Sequence, residues 1–544
     1  MTKKIGRFKF FFSGRGFMKF YFFASALIIL SVFTACRTPP KIDMRKLAPN
    51  DAIVYLEIGN LAATLESLTE SRAFQELAAE TPDFSALENV QMAVAVTGFE
   101  TSEKQVSDDN AVLDFKPQFV VIAETHAWSW QTLALAENQI NNFVIKNFGQ
   151  ETQLEKVDKF DGKFFTWTAA DNRKIFAFVQ DSLIYFGNDQ AAIEKCLAVK
   201  NNKAESLLKN ESLERSYSTG NSAFGYVSPA GIAQIANLAA VGLAVQTTEE
   251  SGGRSFIAGV LPQILQNTTK EIVWTANKTE RGIEDKFSVS LTPEVSAVVK
   301  ETLATAEQTP AGSIEFLPPD FFSATRYNLR NPLIAWRSLL LVTAQNADTV
   351  SGKFLIEVSD SLLEPYGIAK AEDFLSQIDS EIITAQFDAE GERSAAIFRV
   401  KVAENLKTSI SKEINFKAES EKKFDAEIWF SEDKKTAAAF IENNLILGES
   451  ESVLKCLQAK QSGQNFAKNP NYQKVAASQF VAATFARDLD SAGKIVEVLA
   501  KKKDTDRKLA TFYLTETRFT DKGIERKTVS DFGLIGTILK QFSN

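Results

Sequence analysis

The chain has 544 residues, 44% hydrophobic and 24% charged, with a formal net charge of −8. This is the composition of a folded chain, not a disordered one, and the length calls for roughly two to four domains. Residues 1–35 hold six Lys or Arg and no Asp or Glu, so without them the charge is −14. An acidic body excludes a nucleic-acid partner, which is held by neutralising phosphates, and gains nothing from anionic lipid headgroups.

Lys19 precedes Phe20–Ala35, a run of sixteen uncharged, mostly apolar residues. It falls short of the roughly 20 residues that cross a bilayer as a helix. Basic start, apolar middle and small-residue exit are the parts of a secretory signal peptide, expected over 1–35. Met18-Lys19 makes a normal start in itself, which would leave 1–17 as an extension. The exit, Thr34-Ala35-Cys36, resembles the lipobox of bacterial lipoproteins, with Phe33 standing where Leu is usual. The resemblance implies cleavage before Cys36, a diacylglyceryl group on its thiol and an acylated amine. Two or three acyl chains make a stable anchor where one is marginal. Arg37-Thr-Pro-Pro40 opens a stiff tether over 36–46. In Gram-negative lipoproteins Asp after the Cys retains the protein at the inner membrane. Arg37 stands there instead, so the resemblance favours the outer membrane, facing the periplasm.

The folded part opens at Pro49-Asn-Asp51 with a strand over Ala52–Ile58, then a helix over Leu61–Leu77 capped by Asn60. Val90–Val96 and Phe119–Ala123 read as strands, with a long polar loop between them that includes Ser107-Asp-Asp-Asn110. A helix over Trp128–Phe148 can bury Trp130, Leu133, Ile140, Phe143 and Val144 on one face. Phe164–Trp167 is a strand, followed by a hairpin over 175–186 and a helix capped near Asn188 or Asp189. Ala223–Val227 is a strand, Gly231–Val245 a buried helix, and Phe256–Leu265 a helix that Pro262 kinks or stops. Ile272–Ala276 and Phe287–Leu291 make a hairpin, Glu294–Thr305 a helix, and Gln308-Thr-Pro-Ala-Gly312 a linker.

The chain then repeats itself. Phe178–Gly187 and the Lys195-Cys196-Leu197 helix ending at Lys200 return as Phe440–Gly448 and Lys455-Cys456-Leu457 ending at Lys460. In the same order, Leu317-Pro-Pro-Asp320 answers the opening at 47–51 and Asn328 answers Asn60 ahead of a Leu-rich helix. Ile382–Phe387 and Ala395–Val402 form a hairpin with a short turn at Glu390-Gly391. Phe424-Asp425 answers Phe160-Asp161, Lys468-Asn469 answers Lys209-Asn210, and Gly523-Ile-Glu525 answers Gly282-Ile-Glu284. The expected fold is therefore α+β. It consists of two tandem homologous repeats, 47–307 and 316–544, joined by a linker at 308–315. Each is a mainly antiparallel sheet covered by helices, with a ferredoxin-like βαββαβ start plus extra hairpins. The pattern resembles bacterial envelope proteins of unknown function that carry a Pro-x-Asp start and a strand, Leu-x-x-Gly, helix element, often duplicated. That resemblance implies location and fold, and brings no catalytic residues.

The chain carries one His, His126, too few for a two- or three-His metal site, and it is expected as a loop residue at the mouth of a strand. Phosphate-loop, dinucleotide and nucleophile-elbow motifs are absent. Cys196 and Cys456 occupy equivalent helix positions and read as buried thiols; pairing them would need α-carbons within about 7 Å. Asp488-Leu-Asp490 and Asp108-Asp109-Asn110 are the nearest carboxylate pairs, and neither has a counterpart in the other half. No cofactor, metal or catalytic residue is expected. The reading is a non-enzymatic, lipid-anchored envelope protein that binds or scaffolds an unknown envelope partner. The alternatives are a carrier for an apolar ligand, whose cavity Phe-rich sheets and the 231–265 segment would line, and a carboxylate-based hydrolase needing two acids about 5–9 Å apart.

Overall fold

A computed structural model describes residues 41–543 except 108–109, 218–219, 246–251, 307–311, 361–362, 364–366, 411, 471, 473–478 and 501–508. The signal segment, Cys36, Asp108-Asp109 and the first half of the expected linker, 308–311, lie outside the described residues. The fold is α+β, on antiparallel sheet. Contacts divide the chain into two compact units. The first comprises the described chain up to 288 with 489–511 and 529–544; the second comprises 289–488 with 512–528.

In chain order the first unit begins with β1 (Val54–Ile58), α1 (Leu61–Thr69) and α2 (Arg72–Leu77). The single helix expected over Leu61–Leu77 is thus two, because Ser71 caps a new start through its bond from Phe74 N (3.2 Å). Asn60 caps α1 as expected, accepting from Ala63 N at 3.0 Å. Next come β2 (Gln91–Ser107) and β3 (Asn110–Glu124), one long hairpin that replaces the expected polar loop. On β2 the outer part, Thr101–Gln105, is wholly polar and reads as loop, whereas on β3 Leu113, Phe115 and Phe119 alternate with Asp114, Lys116 and Gln118, a strand pattern that the loop expectation passes over. α3 (Ser129–Leu135) and α4 (Asn141–Phe148) follow, joined by a π-helical turn over Ala136–Ile140.

Then come β4 (Gln153–Lys159), β5 (Gly162–Thr168), β6 (Lys174–Gln180), β7 (Leu183–Gly187), α5 (Gln190–Lys200), α6 (Glu211–Ser216), β8 (Ala223–Val227), α7 (Pro229–Val245), α8 (Gly252–Thr268), β9 (Thr269–Thr279) and β10 (Gly282–Leu291). The helix around Pro262 neither stops nor shortens there; α8 runs to Thr268. The sheet order is β4-β5-β6-β7-β3-β2-β1-β8-β9, with every neighbouring pair antiparallel. β1 therefore lies beside β2, whereas a ferredoxin-like unit would set its first strand parallel to its third. That part of the expectation is corrected.

The second unit contains α9 (Pro293–Thr302), β11 (Ser323–Asn328), α10 (Pro332–Asn346), α11 (Thr349–Glu357), α12 (Ala371–Ser376), β12 (Ile378–Gln386), β13 (Ser394–Val400), α13 (Ala403–Leu406), β14 (Glu421–Lys423), β15 (Ala426–Phe430), β16 (Thr436–Ile441), β17 (Asn444–Glu449), α14 (Ser450–Ser462) and β18 (Ala482–Asp488). Asn328 ends β11, and the residue that caps the Leu-rich helix is Asn331, accepting from Ile334 N at 3.1 Å. The sheet order is β14-β15-β16-β17-β13-β12-β11-β18. The chain ends with α15 (Ser491–Ala500), β19 (Thr511–Thr520), β20 (Gly523–Ser530) and α16 (Gly533–Leu539).

In each unit both sheet faces are covered, and the strands alternate between two cores. In the first, Met92 and Val94 join Leu61, Phe74, Trp167, Ile495 and Ile535, while Ala93 and Ala95 join Tyr55, Phe178, Tyr185 and Cys196. In the second, Ile397 and Ala439 join Cys456 and Phe485, while Phe398 and Ala438 join Phe374 and Trp429. The turns agree as well. Phe160-Asp161 and Phe424-Asp425, Asn172 and Lys434, and Asp181 and Glu442 all take φ between 52° and 63°, the left-handed geometry of tight hairpins.

Candidate functional site

The start of the described chain is not a free tether. Met44–Leu47 form a 3-10 turn with Met44 fully buried, so the folded body begins ahead of residue 47. The side-chain amide of Gln91 holds this segment at two points. Ile42 N donates to Gln91 Oε1 at 2.9 Å, and Gln91 Nε2 donates to Ile42 O at 2.8 Å. His126 Nε2 lies 3.2 Å from the same Gln91 oxygen, and His126 N donates to Glu124 Oε1 at 2.8 Å. The lone histidine does sit at the mouth of a strand, after β3, with φ 54°. There it helps seat the tether.

A buried polar chain continues inward. Asp43 caps the turn and takes the Arg45 guanidinium through Nε at 3.0 Å and Nη2 at 2.8 Å. The guanidinium stacks 3.6 Å from the Tyr217 ring centroid. Tyr217 OH and Tyr55 OH each donate to one Glu57 oxygen at 2.8 Å. Burial pushes the Glu57 carboxyl up, against the two tyrosine hydrogen bonds that favour its charge. The Tyr55 hydroxyl is raised further, by burial and by Glu57. Arg45 and Glu57 are each 6% exposed, so this cluster offers a substrate no approach; it fastens the entry segment to the sheet. Arg45 Nη1 is buried without a partner among the described residues.

The corresponding face of the second unit holds another buried cluster. Arg326 Nε donates to Glu381 Oε1 at 2.6 Å, with side chains 3% and 0% exposed, above the rings of Tyr472 and Phe480. Glu381 Oε2 and Tyr472 OH are buried without a partner among the described residues.

Cys196 and Cys456 are free thiols, each wholly buried in its own unit and pushed up to about 12, chiefly by burial. Asp488 accepts from Tyr513 OH at 2.9 Å, and Asp490 stands just before α15. Among the described residues no group of three or more His, Cys, Asp or Glu is placed to hold a metal ion. No described helix is long and apolar enough to cross a membrane. An apolar cavity of about 20 Å³ lies in the first unit among Leu56, Ile58, Leu61, Met92, Trp274 and Ile535. Trp130, expected on the buried face of its helix, is 68% exposed, and Trp128 is 72% exposed. Glu57 and Gln91 are site residues that the sequence reading passes over. Glu57 carries a signal, a charge at interior parity within an alternating strand; Gln91 carries none.

No family model and no curated protein matches this chain. Among solved structures the chain is similar to one titled "Structure of crystal form I of TP0453", at 10% identity, covering 44% of this chain and 100% of that one, with a TM-score of 0.23. A similarity at that level carries no argument about fold or function.

Proposed function

We propose that this is a lipid-anchored envelope protein, acylated on Cys36, whose body is a duplicated α+β unit with a binding or scaffolding role and no catalysis of its own. The observation that carries the anchor is the pairing of Thr34-Ala35-Cys36 with a body whose chain is pinned from Ile42 onward by Gln91. A protein meant to stand at a fixed height above a bilayer needs that fastening. The duplication is supported by the shared strand order and by the matched left-handed turns, since non-glycine residues at positive φ are uncommon. The carrier reading gains nothing from a cavity of about 20 Å³, because small-molecule sites enclose roughly 300–1,000 Å³. Nor does the Glu57 cluster favour a hydrolase, both carboxylate oxygens being occupied by tyrosines. Growth with labelled palmitate tests the reading: label enters the wild-type chain and is lost in Cys36→Ala. Label retained in that variant, or absent from both, contradicts it.

A further inference from the structure

Two tryptophans stand out of the first unit beside the point where the tether leaves it. Trp128 and Trp130 are 72% and 68% exposed, although water-facing indoles of this size are costly and a helix start has no need of them. The backbone that carries them is fixed by local hydrogen bonds. Trp128 N donates to Gln131 Oε1 at 3.1 Å, Thr125 Oγ1 donates to Ser182 O at 2.9 Å, and Thr125 and Thr132 hydroxyls lie 3.1 Å apart. The stretch from Trp128 to Ala136 carries no charged residue. Its neighbour His126, two residues before Trp128, shares the Gln91 oxygen with Ile42 N. The indoles and the tether's exit therefore occupy one place on the surface. From Ile42 the chain has six residues back to Cys36, a reach of at most about 20 Å. Acyl chains on Cys36 would set a bilayer surface within reach of this pair.

We infer that Trp128 and Trp130 dock into the headgroup region of that bilayer, a second contact that fixes the body's orientation on the membrane. Indole is the side chain that prefers this zone, with an apolar body and one N–H donor. An uncharged patch on an acidic body suits a zwitterionic surface and not an anionic one. The inference rests on the lipid-anchored reading, and one sample separates the two. The full mature protein is reconstituted in phosphatidylcholine vesicles whose acyl chains carry bromine just below the headgroups, and the mass of its N-terminal peptide reports Cys36 acylation. Bromine should quench indole emission in the wild type and do so at least about twofold less in Trp128→Ala/Trp130→Ala, because of the four other indoles Trp167, Trp274 and Trp429 are buried and Trp336 is half-buried. Equal quenching in both, or none in the wild type, overturns the inference whatever Cys36 carries. If Cys36 proves unacylated the anchored reading falls, and quenching by vesicles added to the protein still decides the tryptophans. Acrylamide access in the wild type gives a measure independent of the variant: vesicles should lower it, and unchanged access overturns the proposal.

Discussion

Asp285 is where the end of the chain is held. Its side chain is 2% exposed and accepts from Trp274 Nε1 and from Leu534 N, each at 2.8 Å, so a strand carboxylate caps the last helix, α16. Gly533, at φ 61°, lies against Ile283 and Asp285, where a Cβ has no room. Burial outweighs the two hydrogen bonds and lifts this carboxyl from an ordinary 3.8 to about 6. The native state therefore binds the proton more tightly than the unfolded chain. The stability it adds is fully present below about pH 4 and is lost as pH rises to about 6. Asp285→Asn should flatten the melting profile across that window, by up to about 3 kcal/mol. An unchanged slope between pH 4 and 6 would show that the group is not so placed. At this scale caps such as Asn60 and Asp189 are legible, because a short polar side chain before an apolar run has one local job. The exposure of Trp130 is not legible, since periodicity counts apolar residues without saying which of them the core has room for.

Among the elements, the strand-and-helix module written twice is held by the same device in both places. Gly187 on β7 abuts the backbone of Phe119 and Val120 on β3, and Gly448 on β17 abuts Ser394 and Ala395 on β13. A methyl at either would push two paired strands apart. Gly187→Ala and Gly448→Ala should each cost about 1–3 kcal/mol from the clash, with the larger loss at Gly448, which also sits at φ 155°, read as drops in chemical-denaturation midpoint. A large loss at one with none at the other would mean that the modules are not equivalent. These hairpins are legible because dense apolar runs, tight turns and a glycine come together within 25 residues. The outer part of β2 is not, since Thr101–Gln105 is wholly polar, while the alternation of Leu113–Phe119 on β3 is a signal that a polar-loop expectation overlooks. The course of α8 through Pro262 depends on tertiary packing overriding a local breaker.

For the whole molecule, the halves expected from the sequence, 47–307 and 316–544, are not the compact units. The final helix α16, with α15, completes the core of the unit that starts at residue 41: Ile495, Val496, Ile535 and Leu539 are buried with Leu61, Phe74 and Trp274. Conversely α9, which closes the first half, belongs to the second unit, where Ser296 Oγ donates to Thr520 O and Asp521 O and Val299 packs with Ala335. Each half of the chain thus surrenders its last helix. Gly282-Ile-Glu284 and Gly523-Ile-Glu525 precede the two helices alike in sequence, but only packing decides which sheet each covers. Deleting 533–544 should consequently open the first unit: limited proteolysis should cut within 41–288 while 289–488 stays protected. First cuts within 289–488 would refute the exchange.

Acylation of Cys36 would tie the proposed duplicated body to a bilayer, and the mass of the mature amino-terminal peptide measures it directly. The expected mature chain begins at Cys36 and carries a diacylglyceryl group on its sulfur. A mature chain that begins elsewhere, or a Cys36 peptide of unmodified mass, would contradict it.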